Sequence, residues 1–308
     1  MRFRSIYTPV FIFIAGITLA FFLYEIVEKS QALEAQSRFN KQAVSYVKTI
    51  EAGLANNREL LVSLKSFLAN SDNTTREQFD QYAMDLLKER DYIQALEWIP
   101  KVAHERRKAF VNVAREQGFD DYYIKYKREG EILKSPFLPE YYPVYYVYPY
   151  VGNEVAVGYN LSSNGARLKA LLLARDTNTA VMSQGIKLVQ EKNKQTAVLM
   201  FLPVYRANVI PTAVSERRSQ LLGFALLVLR ISDLIEQVSE DFAVHFNLQI
   251  TDISDGQILY SNLDETSLNT GNTLQSQINF SHRHWQINLS EPIDNATDFN
   301  IIALLVAV

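Results

Sequence analysis

The chain has 308 residues, a formal net charge of −3 and 48% hydrophobic residues. A charge this close to neutral gives no electrostatic case for nucleic-acid binding. The absence of cysteine excludes thiol chemistry, Cys-ligated zinc and iron–sulfur clusters. The chain opens on an apolar run from Tyr7 to Val27, with no charge before Glu25. A helix needs about 20 apolar residues to cross a bilayer, so this run predicts a transmembrane helix. A cleaved signal would have a shorter apolar core, of about 7–15 residues, ending at a small-residue site. Here helix-forming residues continue straight past the run. Arg2 and Arg4 precede it, whereas Glu25 and Glu28 follow it. Positive flanks stay cytoplasmic, so residues 1–27 read as a cytoplasmic tip and first transmembrane helix.

Residues 28–70 predict one long polar helix, a stalk, without proline and with Gly53 as its only glycine. A heptad runs through Leu33, Asn40, Val47, Leu54, Leu61 and Leu68. Its companion seam is Gln36, Ala43, Ile50, Asn57 and Leu64. Apolar residues at this spacing make a coiled-coil seam, so Val47, Ile50, Leu54, Leu61, Leu64 and Leu68 are expected to hold a homodimer. The same stripe would also suit a helix lying on its own domain.

Residues 71–240 read as a membrane-distal part. Thr75 with Gln78 forms a capping box opening a helix to about Arg90. Tyr92–Ile99 is a β-run closed by Pro100, and His104–Gln117 a helix ended by Gly118. Pro136, Pro139, Pro143 and Pro149 then frame a tyrosine-rich extended stretch. Ser162 and Ser163 can cap a helix to about Arg175. Ala180–Gln190 and Thr196–Tyr205 flank Lys192–Gln195 as a hairpin. Gln220–Ile231 is a further strand, followed by a helix over Ser232–Glu240. Residues 241–298 read as a membrane-proximal sheet of four shorter strands, His245–Ile253, Gln257–Ser261, Gln275–Phe280 and Trp285–Leu289. Residues 299–308 begin a second apolar segment, the start of a returning transmembrane helix. Antiparallel meanders with helices grouped between them define an α+β fold.

Three blocks in order carry a family resemblance: Ile93-Gln94-Ala95-Leu96-Glu97-Trp98-Ile99-Pro100, then Ala174-Arg175-Asp176-Thr177, then Phe201-Leu202-Pro203-Val204-Tyr205, with Gly223-Phe224 further on. Together they resemble the CHASE domain, an extracytoplasmic sensor of bacterial histidine kinases and nucleotide cyclases and of plant cytokinin receptors. The resemblance covers about residues 50–260. It implies a long stalk helix, two PAS-like sheets, a homodimer and a small ligand in the distal sheet. With the flanking charges, which place residues 28–298 outside, the expected location is a bacterial inner (cell) membrane with those residues periplasmic or extracellular. In plant members an Asp and a Thr hold the adenine of cytokinin; the matching positions here are Arg167 and Phe201. A guanidinium only donates, so cytokinin itself is not the expected ligand.

Arg167 and Arg175 lie eight apart on one predicted helix, and Arg pairs bidentately with carboxylates, so an anionic ligand is expected if either faces the pocket. Thr177 and Ser183 offer hydroxyls, Val189 and Phe201 apolar walls, and Tyr145 and Tyr205 amphipathic rings. Glu97 reads either as a pocket acceptor or as half of a structural ion pair. His282 and His284 would share one face of a strand, with no third metal ligand nearby, so no metal and no cofactor are expected. No catalytic signature assembles a nucleophile with a base. The chain is therefore expected to be a non-enzymatic sensor, its output a histidine kinase or diguanylate cyclase domain beyond Val308. The competing class is a membrane-tethered assembly protein. A sensor predicts an internal polar-lined cavity; an assembly protein predicts a packed core and an exposed apolar patch.

Overall fold

The computed structural model describes residues 4–71, 74–188, 195–206, 210–240, 242, 245–263 and 271–291, with side chains from Tyr7 onward. The predicted second apolar segment, 299–308, and the turn at Lys192–Lys194 lie outside them. Helix α1 (Arg4–Ala69) is continuous. Among the described residues it is the one helix long and apolar enough to cross a membrane, and its apolar N-terminal window buries nothing within the chain.

From Phe39 onward α1 turns one face inward. Phe39, Ala43, Val47, Ile50, Leu54, Leu61, Leu64 and Leu68 are all buried, because α1 lies against β8, β9, α6 and β12, defined below. This corrects the expected use of the seam: Val47, Ile50, Leu54, Leu61, Leu64 and Leu68 are taken up inside one chain. A stripe repeating every three to four residues serves a helix on its own sheet as well as a coiled coil. Asn57, read as a register-fixing seam residue, is buried too. Its Oδ1 accepts from the Tyr92 hydroxyl at 3.0 Å, while Nδ2 has no partner.

The remaining elements follow in order. Helix α2 (Arg76–Leu87) has the expected Thr75–Gln78 capping box. Next come β1 (Ile93–Pro100), β2 (Val102–Ala103), α3 (Arg107–Glu116), β3 (Lys125–Arg128), β4 (Glu131–Lys134), β5 (Glu140–Tyr141) and β6 (Tyr146–Tyr148). Helix α4 (Gly165–Thr177) is capped by Asn164, whose side chain accepts from the Arg167 amide. That displaces the expected Ser162/Ser163 cap, since Leu161–Ser163 form a 3-10 turn of their own. Then follow β7 (Val181–Met182), β8 (Ala197–Tyr205), α5 (Val214–Gln220), β9 (Leu221–Arg230), α6 (Ile231–Glu240), β10 (Asn247–Asp252), β11 (Gln257–Ser261), β12 (Thr273–Phe280) and β13 (Arg283–Ser290). The short α5 has no counterpart in the sequence expectation.

The distal sheet runs β6-β1-β9-β8-β7 and the proximal sheet β11-β10-β13-β12. All pairings within both sheets are antiparallel. The architecture is thus α+β, a long N-terminal helix followed by antiparallel sheets. Strand β8 is buried at every position, because α1 and α4 both lie against it and leave neither face to water. Gly223 sits where β9 meets β1. A Cβ there would collide with the Ile99 carbonyl, so the close strand crossing requires a residue without one.

Candidate functional site

The centre of the distal sheet carries one acid in apolar surroundings. Glu97 on β1 pairs with Val147 and Leu226 on its two flanking strands, and Leu226 pairs in turn with Phe201 on β8. Opposed residues share a face, so Glu97, Leu226 and Phe201 point the same way. So do Val228 and Leu199, two positions along. The loop before α4 closes this face. Asn160 accepts from the Tyr142 amide at 2.9 Å, and the Gly158 amide donates to Val144 at 2.8 Å. Gly158 adopts φ +80° and runs against the Tyr123 carbonyl. The loop is thereby pinned so that Ala156, Tyr159 and Leu161 face the sheet.

Arg167 comes in from the first turn of α4, fixed there by the Asn164 cap at 3.2 Å. Its guanidinium lies 5.0 Å from the centre of the Tyr159 ring, in cation–π range. One terminal nitrogen donates to the Lys187 carbonyl at 3.4 Å, and Nε, fully buried, donates to nothing. Glu97 is 3% and Arg167 4% exposed. Both line a cavity of about 20 Å³ whose remaining walls, apart from the Tyr159 ring, are apolar. That volume holds roughly one water molecule. Burial pushes the Glu97 carboxyl up to about 8, with Arg167 acting against it. Burial also pushes the Arg167 guanidinium down, opposed by Tyr159 and Glu97. The cavity thus sets a buried carboxyl near a buried guanidinium whose Nε has no partner. Such groups are costly unless something completes them.

The other expected site residues lie elsewhere. A helix rises about 1.5 Å per residue, so eight residues carry Arg175 roughly 12 Å along α4 from Arg167. There its Nε donates to Asp176 at 2.7 Å, and Asp176 also pairs with Arg218 of α5 at 2.6 Å. Hydrogen bonding from Arg218 and then Arg175 holds the Asp176 carboxyl well below the usual carboxylate range. Tyr205 donates to the Arg175 carbonyl at 2.9 Å, and Thr177 to the Leu173 carbonyl at 2.7 Å. The Ala174–Thr177 block is therefore a clamp joining α4, α5 and the end of β8.

Ser183 accepts from the Leu199 amide at 3.1 Å and steadies the β7–β8 corner. Phe201 is fully buried, edge-on to Phe224 at 6.1 Å. Tyr145 belongs to a separate aromatic cluster, stacked 4.3 Å from Tyr146; both hydroxyls donate to Gln117 Oε1. Val189 lies outside the described residues. His282 occupies the β12–β13 turn with φ 65°, so it shares no strand face with His284, which bonds Asn279 at 2.6 Å. Leu199 was missed, although period two along β8 places it beside Phe201. Tyr159 and Leu161 belong to an irregular loop, where no period marks an inward position.

Three comparisons bear on this arrangement. A family model described as CHASE domain matches residues 72–260. "Hybrid signal transduction histidine kinase A" of Dictyostelium discoideum is 22% identical over 265 residues, covering 81% of this chain. The chain spans only 12% of that protein's length. The periplasmic sensory domain of the Campylobacter jejuni chemoreceptor Tlp1 aligns with a TM-score of 0.44 and 10% identity, covering 82% of this chain and 92% of its own. A structure titled "Methyl-accepting Chemotaxis protein X" aligns with a TM-score of 0.40 and 10% identity, covering 83% of this chain and 100% of its own.

Proposed function

The chain belongs to the CHASE domain family, and on that premise we propose that it is the extracytoplasmic, ligand-binding module of a membrane-bound receptor. Its ligand is small and anionic and is received beside Arg167. Its state is passed through the membrane to an output domain of histidine-kinase or diguanylate-cyclase type. The observation that carries the reading is the cavity itself: a buried guanidinium with a free Nε, facing apolar walls, in the sheet that a sensor of this family would use. A merely structural core would be expected to complete the guanidinium with protein partners. The N-terminus is cytoplasmic in this proposal, with α1 as the anchor. A homodimer also belongs to it. With the inward stripe of α1 occupied, the contact falls to the outward face, where Val44 and Val62 stand 42% and 40% exposed.

Thermal-shift screening of the whole chain in detergent, with carboxylates against neutral adenines, tests the ligand class. Stabilisation should come from the carboxylates. Arg167→Gln should weaken it by more than about 1.4 kcal/mol, tenfold in affinity. Gln is the better probe than Asp, which would set a second carboxyl beside Glu97. A stabilising neutral compound indifferent to Arg167→Gln would end the anion reading.

A further inference from the structure

A second concentration of charge lies away from Arg167, in the groove between α3 and the β3–β4 hairpin. We propose that this groove is a binding site for a compact multivalent anion, one carrying at least two carboxylate or phosphate groups. It is separate from the site beside Arg167, and neither stands or falls with the other.

The sequence sets the charges at helical spacing. Arg107, Val111 and Arg115 recur every fourth residue of α3, and Lys108 stands next to the first. Side chains so spaced share a helix face, so Arg107 and Arg115 bracket one wall over roughly 12 Å. Lys134 of β4 supplies the other wall, and the groove has a volume of about 450 Å³. Pockets for small organic ligands begin at about 300 Å³, so a guest of citrate's size fits with room for water. Four cations face one carboxylate there, Glu105. Among the described residues none of the four is ion-paired. Two are nevertheless held in place. Arg107 donates to the Ser135 carbonyl at 2.9 Å, to the Tyr141 hydroxyl at 3.0 Å, and to the Ile124 and Pro136 carbonyls at 3.4 Å. Arg115 Nε donates to the Tyr122 carbonyl at 3.2 Å, which leaves its two terminal nitrogens for a guest. Neutral acceptors fix a guanidinium without cancelling its charge, so this wall is preorganised for an anion. Lys134 also stands opposite Lys125 across the hairpin. Like charges so placed are destabilising, and a bound anion offsets that cost. A monovalent anion would leave most of the charge unanswered. A long polyanion would run past Tyr123, where the adjoining cavity carries Asp120, Asp121 and Glu154. The guest is therefore multivalent and compact.

Citrate and pyrophosphate are the probes, one for each anion chemistry, with acetate as the monovalent comparison. Calorimetric titration of the whole chain in a neutral detergent, at low salt, should show one of the two binding about tenfold or more tighter than acetate. The tighter of the two names the anion chemistry. Lys108→Gln with Lys134→Gln removes two exposed charges that hold no other group among the described residues. The thermal midpoint should therefore stay near that of the wild type, while affinity for the tighter probe falls about tenfold or more. Lys127→Gln with Arg128→Gln removes two charges from β3 outside the groove, and Arg167→Gln removes one at the other site. Each of these should leave that affinity within about twofold. No binding of either probe, or acetate bound as tightly, would overturn the proposal. So would equal losses in the two double variants, which would report diffuse attraction to a basic surface. A loss in Arg167→Gln alone would overturn it too, by moving the anion to the other site.

Discussion

Glu97 is the residue on which the distal sheet's electrostatics turn. Its carboxyl is ordinarily half-ionised near 4.5, and burial raises that point to about 8 in the native chain. Between those values the folded state holds a proton that the unfolded chain has released, so stability falls as pH rises. The contribution is fully present below about pH 4.5 and lost by about pH 8, with a slope of up to about 1.4 kcal/mol per pH unit. Glu97→Gln should flatten this window and leave the variant more stable than wild type at pH 8, as denaturant titrations at pH 5, 6.5 and 8 would read. A slope unchanged by the substitution would assign the pH dependence to other groups. Asn57 poses a neutral version of the same problem. Tyr92→Phe removes the one donor to its buried Oδ1 and should cost about 1–3 kcal/mol, whereas Asn57→Leu, which removes the buried amide altogether, should cost less. Arg167 and Glu97 were both visible in the sequence as charges in apolar company. That they meet was not, because one lies in a strand and the other 70 residues later in a helix, and nothing local encodes the pairing.

At the scale of elements, α1 shows how a pattern can be read correctly and its partner misassigned. The heptad holds from Ala43 to Leu68, where every seam residue is buried, whereas Leu33, Gln36 and Asn40 are exposed. Spacing reports that a helix has an apolar face, not what covers it. Leu54→Lys with Leu61→Lys should therefore abolish cooperative unfolding followed by circular dichroism, since each position is fully buried and an unpaired buried charge is not tolerated. A folded, monomeric double variant would restore the seam to an interchain contact. Val62→Lys, on the outward face, should leave the thermal midpoint nearly unchanged and weaken the dimer in sedimentation. Long periodic elements such as β1, β8 and β9 were legible to within a residue or two. Among the described residues of the expected strand Ala180–Gln190, Val181–Met182 forms a strand and Ile186 one further bridge, and between them Ser183 spends its hydroxyl on the Gln184 carbonyl and the Leu199 amide. The β12–β13 turn falls between the expected strands, but His282 was read onto a strand face because Ser281 and His282, neither of them glycine, both take positive φ, against the usual preference.

Over the whole molecule, the question is how a change at the cavity reaches the membrane-proximal sheet. Helix α6 joins the two sheets through β9 and β11, and two longer routes run beside it. Helix α1 touches both sheets along its length. Helix α4 carries Arg167 in its first turn and ends in a hydrogen-bonded chain to the other sheet. Thr177 Oγ1 meets Thr179 Oγ1 at 2.7 Å, and Thr179 Oγ1 meets His282 Nε2 at 2.9 Å. Beside them the Met182 amide donates to the Ser281 carbonyl at 2.9 Å. A ligand shifts a receptor only through its unequal affinity for two states, and in the proposed reading a carboxylate that pulled on Arg167 would move α4. Transmission is therefore expected through α4 and the Ser281–His282 turn. Hydrogen exchange on the whole chain can separate the routes. A carboxylate found in the screen should alter protection at Met182 and along β12 and β13 in the wild type. Thr179→Val with His282→Ala lies far from the cavity and should leave that ligand's affinity within about twofold, well under 1 kcal/mol, while suppressing the change in β12 and β13. If the double variant still transmits the change in full, the signal travels along α1 or α6, and the hydrogen-bonded turn only fastens the two sheets together.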